Sequence, residues 1–248
     1  MTKDYRNPSY DAEYDFPLYE GRPSQVFLVA TTPRSGSSLL AFLCRQTGAL
    51  GFPLEYFTEI NARIIRRRLS LGDGDLRAYA EALVRIRSSS NGLFGFKLHY
   101  DDLSSFRTEG GWGLPLMANA KVILLEREDR LSQAISLVMA SQTNRWIDLP
   151  GYHMQGAPSP SYDRLAITDA MRALEQQHLE WKALLSNEKV ETLSLSYESI
   201  LENCPEAFRR VCGFLSMPAV VPSLSTVELQ SQNSQVNRDW KTRYLDGK

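Results

Sequence analysis

Cysteine and histidine are scarce in this chain of 248 residues, which contains three of each. The cysteines, Cys44, Cys204 and Cys212, form no Cys-x-x-Cys pair. A structural zinc site needs a set of closely spaced ligands of these kinds, so we predict no metal site. Cys44 lies in an apolar helical pattern, and we interpret it as a small buried hydrophobic residue in a reducing compartment.

The sequence also has no long hydrophobic segment and almost no net charge. No run reaches the about 18 uncharged apolar residues of a membrane span, and the amino terminus has no apolar core of signal-peptide length. The formal net charge is −1, so no global field would attract nucleic acid or an anionic membrane. We therefore expect a cytoplasmic protein that neither spans a membrane nor binds nucleic acid, with any anion site formed locally.

Short β-rich runs alternate with longer helical ones along the chain. Strands are predicted at residues 25–31, 93–100, 120–126 and 189–196. Helices are predicted near residues 37–48, 75–89, 130–145, 164–187 and 204–216. Parallel strands need crossover connections, which are usually helical, so this alternation predicts an α/β fold with a mainly parallel central sheet flanked by helices.

Residues 1–24 are polar and contain four tyrosines among acidic residues and prolines. Two interpretations of this N-terminal arm stay open: a flexible or loosely docked segment, or an aromatic strap that packs on a partner subunit or on the mouth of the site. Residues 25–248 are predicted to form a single domain, because a chain of this size can bury one core. Within it, residues 148–163 have the densest proline and glycine and predict a long loop that could close over a site.

The run TTPRSGSSLL, residues 31–40, joins the first predicted strand to the first predicted helix. Backbone N–H groups at a helix start are unpaired and carry the positive end of the helix dipole, so an oxyanion fits there. Gly36 would let the backbone approach the anion, and Arg34 supplies a fixed positive charge. Hydroxyl groups come from Ser35, Ser37 and Ser38. The alternative is an ordinary capped helix with a solvent-facing arginine.

A second anion site is predicted where the third strand ends. Arg127 follows that strand directly, and the next predicted helix carries Ser132 and Ser136. Ligands of parallel sheets bind at the carboxyl ends of the strands, so an arginine beside serines at this place could hold another phosphate. The alternative is a surface ion pair between Arg127 and a neighbouring acid of the sequence ERED.

Together these motifs resemble those of sulfotransferases that use 3'-phosphoadenylyl sulfate (PAPS), and the chain is most similar to the Stf0-like family. Further segments carry the resemblance in the family's order: GFPLEYF (51–57), GFKLHY (95–100), LLEREDRLSQAISLVMASQT (124–143), LSYESIL (195–201) and RDWKTRY (238–244). The resemblance covers about residues 25–245. It implies a P-loop-like three-layer fold, PAPS as sulfuryl donor, PAP as product and no metal.

The resemblance also implies roles for the two anion sites. In sulfotransferases the loop that corresponds to Arg34–Ser38 binds the 5'-phosphosulfate of PAPS. An arginine and a serine at the positions of Arg127 and Ser136 bind its 3'-phosphate, and Ser132 is the less favoured serine here. The basic residues around Trp240 fall where many sulfotransferases bring a basic segment onto the cofactor, although a C-terminal amphipathic helix would give the same spacing.

Sulfuryl transfer to a hydroxyl group requires a base, and two residues compete for this role. Glu55 matches the glutamate that is the general base in the family's type member. His99 follows Lys97 by two residues, as in the Lys-x-His of cytosolic sulfotransferases, and residues two apart on a strand point to the same face. We favour Glu55 over His99 as the catalytic base. We expect Lys97 to orient the sulfonate, with a structural ion pair as the alternative, and Arg34 to stabilise the leaving phosphate.

The acceptor loop departs from that of the type member, which acts on trehalose. Pro33 replaces a glutamine, and Phe52 with Pro53 replaces a Glu-Pro pair. A site that loses its polar partners loses preference for a buried hydroxyl. With Phe57 as a further contact, we predict a small-molecule or glycan acceptor: a hydroxyl of a carbohydrate or glycoconjugate with an apolar portion, rather than trehalose.

Two other functions stay open. A P-loop-type kinase that uses ATP and Mg²⁺ would need Glu126 as its metal-holding acid, although the loop lacks the lysine of GxxxxGK[ST]. A non-catalytic nucleotide-binding relative would need none of the catalytic residues. Stf0-like proteins can form homodimers, which fits an aromatic N-terminal arm, but the spacing of residues does not require it.

Overall fold

The computed structural model describes residues 7–149, 158–227, 229 and 235–247. Its centre is a four-stranded sheet composed of β1 (Gln25–Thr31), β2 (Leu93–His99), β3 (Lys121–Glu126) and β4 (Thr192–Ser196). The strands lie in the order β2-β1-β3-β4, and every neighbouring pair is parallel. The predicted α/β fold with a parallel sheet is confirmed, and all four predicted strands are present.

Nine α-helices surround the sheet in the described part of the chain. They are α1 (Ser37–Gln46), α2 (Glu59–Arg68), α3 (Leu76–Arg87), α4 (Tyr100–Thr108), α5 (Arg130–Thr143), α6 (Arg164–Asn187), α7 (Tyr197–Glu202), α8 (Cys204–Phe214) and α9 (Gln235–Leu245). The five predicted helices are α1, α3, α5, α6 and α8. Three helices, α2, α4 and α7, were not predicted. Of these, α4 and α7 each begin at the residue after a strand and are too short for a clear helical period.

The sheet is covered on both faces, which makes three layers. Alternate residues of β1 point to opposite faces: Val26 and Leu28 join one apolar cluster, whereas Phe27 and Val29 join another. Such double burial explains why this strand is a continuous apolar run. Cys44 is fully buried in the second cluster, as the sequence predicted. Among the described residues, no helix has both the length and the apolar character needed to cross a bilayer.

The described part of the N-terminal arm, residues 7–24, is packed onto the domain, which corrects the expectation of a loosely docked segment. Tyr10 is only 2% exposed and belongs to the main apolar cluster. The reason is the buried guanidinium of Arg87, which donates hydrogen bonds to the carbonyl oxygens of Ser9 (3.0 Å) and Asp11 (3.2 Å). It also pairs with Asp15 at 3.1 Å. A buried arginine needs several acceptors, and this segment supplies them.

Part of the predicted loop at residues 148–163 lies outside the described residues, which resume at residue 158. The C-terminal helix α9 packs against α5, as the alternative of an amphipathic helix predicted. Trp240 is buried with apolar residues of α5 and α6, and Lys241 pairs with Asp129 at 2.5 Å. This places α9 beside the start of α5, close to the second predicted anion site.

Replacing Arg87 should destabilise the whole domain. The Arg87→Met substitution keeps much of the side-chain volume but leaves the buried carbonyl oxygens without their donor and Asp15 with Arg68 as its remaining partner. We expect the free energy of unfolding to fall by about 3–5 kcal/mol, measured by urea denaturation. The matched control is Arg85→Met in the same helix, whose half-exposed guanidinium pairs with Glu20, with an expected loss below about 1 kcal/mol. Equal losses in both variants would contradict this account.

Candidate active site

A cavity of about 1070 Å³ opens at the carboxyl ends of β1, β2 and β3. Its walls come from the β1–α1 loop, residues 54–61, the ends of β2 and β3, and residues 144–148. Parallel α/β sheets bind their ligands at this edge, because the strand ends and the helix starts meet there. Most of the predicted site residues line this cavity: Pro33, Arg34, Gly36, Ser37, Ser38, Glu55, Lys97, His99, Arg127 and Ser136.

Gly36 lets the β1–α1 loop pass beneath an aromatic ring. Its φ is 88°, in the left-handed region, and a Cβ at this position would lie 2.2 Å from Cδ2 of Tyr197. Any larger residue would therefore be strained and would also displace the ring. The loop is held from α5, where the Gln133 amide donates hydrogen bonds to Thr32 Oγ1 (2.9 Å) and to the Pro33 carbonyl (2.8 Å). The sequence thus builds a rigid turn before α1.

Ser35 differs from the other predicted anion-binding serines. Its hydroxyl is fully buried and hydrogen-bonded to Thr31 Oγ1 at 2.5 Å, and Thr31 donates in turn to the Leu125 carbonyl. The Ser35 side chain therefore braces the loop against β1 and β3 rather than facing the cavity. This corrects the expectation that its hydroxyl is available to an anion, because a short buried side chain forms its hydrogen bond with the nearest protein groups.

Lys97 supplies the ammonium group that the loop sequence lacks. It lies on β2, is only 3% exposed, and its Nζ donates to the Oγ atoms of Ser37 and Ser38 at 3.3 Å each. Both serines are in the first turn of α1, where unpaired N–H groups and the helix dipole favour an anion. The cation therefore comes from the neighbouring strand, beside the helix start, rather than from the loop itself.

Arg34 points into the cavity and is anchored at both ends of its guanidinium. Nε donates to Ser136 Oγ at 2.9 Å, and Nη1 donates to the Trp146 carbonyl at 2.6 Å. The backbone of Arg34 has a φ of 62°, so the loop pays a conformational cost to aim this side chain. The alternative of a solvent-facing arginine at an ordinary helix cap does not describe this geometry.

Arg127 is held over the same loop from β3. Its guanidinium lies 5.0 Å from the centroid of the Tyr197 ring, and Nη1 donates to the Arg34 carbonyl at 3.2 Å. Arg127, Ser132 and Ser136 all line the cavity, and the Ser132 hydroxyl donates to Asp129 in the cap of α5. Glu126 and Asp129 pair with other cations, and Arg127 forms no ion pair with an acid of ERED among the described residues, so the predicted alternative of a local surface ion pair is not observed.

The two candidate bases lie together with Lys97 on the other side of the loop. Glu55 Oε1 is 3.0 Å from Lys97 Nζ and 3.3 Å from His99 Nε2. Lys97 and His99 reach the same carboxylate because residues two apart on β2 share a face. The Glu55 side chain is 25% exposed at the cavity wall, so an acceptor hydroxyl can approach it.

The charges of this cluster fix its protonation states. Burial alone would raise the pKa of Glu55, but the positive charge of Lys97, the charge of His99 and the Lys97 hydrogen bond outweigh it and lower the pKa to about 2. Burial lowers the pKa of His99, with Lys97 adding to the effect and Glu55 opposing it. At neutral pH the cavity thus presents a carboxylate at Glu55 and an uncharged imidazole at His99.

The acceptor loop places three predicted contacts in the core instead of the cavity, which corrects those assignments. Phe52 packs against Phe42, and Phe57 packs against Phe96 and Phe106, with ring centroids 4.9 to 5.1 Å apart. Pro53 is buried as well. Aromatic side chains gain most from full burial, so they turn inward and leave Glu55 at the surface of the loop.

Several cavity residues were not found by the sequence analysis. The apolar wall near the acceptor loop consists of Leu54, Ile60, Trp146 and Ile147, and polar groups come from Tyr10, Asn61 and Asp102. Asp102 lies in the first turn of α4, and burial followed by the negative charges of Glu55 and Asp101 raises its pKa to about 6. Of these residues only Leu54 lies in one of the segments that carry the resemblance, GFPLEYF, although Asp102 does follow the end of a predicted strand by two positions.

Comparisons with known proteins bear on the family of this chain. A model of the Stf0 sulphotransferase family matches residues 26–246. The trehalose 2-sulfotransferase of Mycolicibacterium smegmatis is 25% identical over 261 residues, which covers 88% of this chain and 94% of that protein. The trehalose 2-sulfotransferase of Mycobacterium tuberculosis is 24% identical over 265 residues, covering 90% and 95%.

Among solved structures, the sulfotransferase domain from the Synechococcus PCC 7002 olefin synthase is similar with a TM-score of 0.48 and 13% identity. That match covers 92% of this chain and 90% of the domain. The family match, in contrast, extends from the start of β1 to the last helix. The chain therefore belongs to the Stf0 sulphotransferase family.

Proposed function

We propose that this sulfotransferase moves the sulfuryl group of PAPS to a hydroxyl of a carbohydrate-containing acceptor. One observation carries the proposal: Lys97 contacts both the hydroxyls of the anion-binding helix start and the carboxylate of Glu55. A cation between an anion site and a base is the arrangement that an in-line transfer between a bound donor and a hydroxyl requires.

The donor would occupy the two anion sites at once. The 5'-phosphosulfate fits the start of α1, among Arg34, Lys97 and the first-turn N–H groups. The 3'-phosphate fits Arg127 and Ser136, which reach the cavity from β3 and α5. Two separated cationic sites suit a nucleotide with phosphates at both ends of its ribose better than a linear triphosphate does.

The proposed reaction needs one proton transfer and no change of oxidation state. The acceptor oxygen attacks sulfur, the bond from sulfur to the bridging phosphate oxygen breaks, and PAP leaves. Glu55 accepts the hydroxyl proton, while Lys97 and Arg34 stabilise the charge that develops on the sulfonate and on the leaving phosphate. By analogy with phosphoryl transfer, the transition state is loose, and most of the catalysis comes from positioning and charge stabilisation. A carboxylate with a low pKa is therefore an adequate base.

The kinase hypothesis is disfavoured by the surroundings of Glu126. Its carboxylate lies 3.1 Å from His178 Nε2 and 3.3 Å from Lys182 Nζ, with Arg130 at 3.8 Å. These groups compete with a metal ion for the same oxygens. The residue that would have to hold Mg²⁺ is thus already compensated by the side chains of α5 and α6.

The acceptor is proposed to be a carbohydrate with an apolar portion. Both relatives compared above are named for trehalose, which supports a sugar hydroxyl. The proposal of an apolar portion is based on Pro33, Leu54, Ile60 and Trp146, which line the same cavity as Glu55. Flat apolar side chains suit the C–H faces of sugar rings and alkyl chains alike.

Nucleotide selectivity tests the donor. PAP should raise the melting temperature more than ATP with Mg²⁺ does. Arg127→Met should weaken PAP about 10-fold or more in calorimetric titration, because a charge-assisted hydrogen bond is lost, yet leave the affinity for 5'-AMP unchanged. Arg130→Met is the control, since Arg130 pairs with Glu126 and Glu175 and should alter neither affinity. Stronger stabilisation by ATP with Mg²⁺ would refute the donor assignment.

Removing the carboxylate of Glu55 should abolish transfer without harming donor binding. Glu55→Gln is expected to lower kcat by about 10²–10⁴-fold, assayed with radiolabelled PAPS and a panel that includes trehalose and octyl glucoside. PAP affinity should stay equal or rise, because Lys97 loses its competing negative charge. The matched control is Glu59→Gln, an exposed cavity acid that pairs with Arg63. A fully active Glu55→Gln enzyme would exclude Glu55 as the base.

The pH dependence of kcat/KM separates the two candidate bases. The low pKa of Glu55 keeps its carboxylate ionised, so a Glu55-dependent rate should stay flat from pH 8 down to about 5. A rate that depends on neutral His99 would instead fall as acid protonates the imidazole, below the ordinary His pKa of about 6.5. A fall in kcat/KM between about pH 6.5 and pH 5 that is absent in His99→Asn would therefore identify His99, rather than Glu55, as the base.

A further inference from the structure

The N-terminal segment reaches the active site at its first described turn. Asn7 and Tyr10 line the cavity beside the acceptor loop. The Tyr10 ring is buried and packs edge-on against Tyr56, the residue after Glu55, with ring centroids 6.1 Å apart. Because buried Arg87 holds the carbonyl oxygen of Ser9, the backbone next to Tyr10 is fixed to the core. This end of the arm is therefore a firm support for whatever it contacts.

One amide connects Tyr10 to the proposed base. Nδ2 of Asn61, in the first turn of α2, donates to Tyr10 Oη at 2.9 Å and to the Glu55 carbonyl oxygen at 2.8 Å. Asn61 is only 8% exposed although it lines the cavity, and its contact with Tyr10 is buried. The Tyr10 hydroxyl thus fixes the orientation of the Asn61 amide, and the amide fixes the peptide group of Glu55.

The two ends of that peptide group differ in their other contacts: its N–H, from Tyr56, donates to the Leu54 carbonyl at 3.0 Å, whereas its carbonyl oxygen has only one further, longer contact among the described residues. Thr58 Oγ1 reaches the Glu55 carbonyl at 3.4 Å, and the Tyr79 hydroxyl binds the carbonyl of Tyr56 rather than that of Glu55. The Glu55 side chain begins from this peptide, so its rotation would carry the carboxylate away from Lys97 and His99. A misplacement of about 1 Å in a catalytic group can cost about 10²-fold in rate.

We propose that Tyr10 is a positioning residue of the active site, acting through Asn61 to hold Glu55 against Lys97 and His99. The catalytic part of this inference rests on the proposed role of Glu55 as base. The geometric part does not, because it concerns only where the carboxylate lies. The N-terminal arm is then a component of the catalytic apparatus, contributed by the same chain.

Two readouts test the proposal with Tyr10→Phe, which removes the hydroxyl and keeps the ring. We expect kcat to fall about tenfold or more, with the KM for PAPS and the affinity for PAP unchanged. The second readout is the pKa of His99, measured by NMR of ¹³C-labelled imidazoles. This pKa should fall, because the Glu55 carboxylate that raises it would move away. The charges of Lys97 and Arg34, which lower it, would then be opposed only by the smaller effect of Asp101. Glu55→Gln sets the size of the full shift, and His178 serves as an internal reference.

Matched variants separate positioning from simple packing. Tyr19→Phe removes a hydroxyl of the same segment that donates to the Arg22 carbonyl at 3.0 Å, and it should leave kcat and the His99 pKa unchanged. Asn61→Ala should reproduce the Tyr10→Phe effects, and the double variant should be no worse than Asn61→Ala alone, because both act on one chain of contacts.

The outcomes distinguish this proposal from the proposed function. A Tyr10→Phe protein that melts earlier but keeps the wild-type kcat and His99 pKa would overturn the positioning role and leave sulfuryl transfer standing. If the wild-type protein transfers no sulfuryl group, the His99 titration still decides the positioning role, since it requires neither acceptor nor turnover. Additive effects of Tyr10→Phe and Asn61→Ala would also overturn the proposal.

Discussion

A buried lysine charge is the constraint on which this site depends. Lys97 is almost inaccessible to solvent, and an ammonium in such a place costs several kcal/mol unless it is paired and hydrogen-bonded. Its partners come from separate parts of the chain: the carboxylate of Glu55 from the acceptor loop, and the hydroxyls of Ser37 and Ser38 from the start of α1. The groups that pair with the Lys97 charge therefore bring the start of α1 and the acceptor loop together beside β2.

The same principle attaches the N-terminal arm. Arg87 is also buried, and its guanidinium is satisfied mainly by backbone carbonyl oxygens of residues 9–14 together with Asp15. A buried cation that must find acceptors can order the backbone of such a segment, and Tyr10, Tyr14 and Phe16 add apolar contacts with the core. In this protein the ordered segment then reaches Asn61 and the peptide of Glu55. Two buried cations thus determine how the loop between them is placed.

Much of the fold could be predicted from the sequence because its signals are local. The apolar run 25–31 and the turn residues after it predicted β1, the loop and α1, and the structure has all three. The acceptor loop shows where such reasoning stops. Phe52 was assigned to the acceptor because it replaces a polar residue of the type member's acceptor loop, with Phe57 as a further contact. Both side chains instead turn into the core, since the backbone conformation decides which side of a loop faces inward. Ser35 is a similar case, because its neighbours in space consume its hydroxyl.

By itself the sequence determined the parallel α/β arrangement and the residue types at the strand ends, since strand periodicity and the positions of arginine, lysine and serine after apolar runs are properties of neighbouring residues. Only the tertiary structure decided that Lys97 takes the place of the missing loop lysine, that Arg34 rests on Ser136 and Trp146, and that Tyr10 supports Glu55 through Asn61. These contacts join residues between 51 and 112 positions apart. No local sequence pattern predicts such pairs, because the residues come into contact only after the strands have paired in the sheet and the N-terminal arm has packed onto the domain.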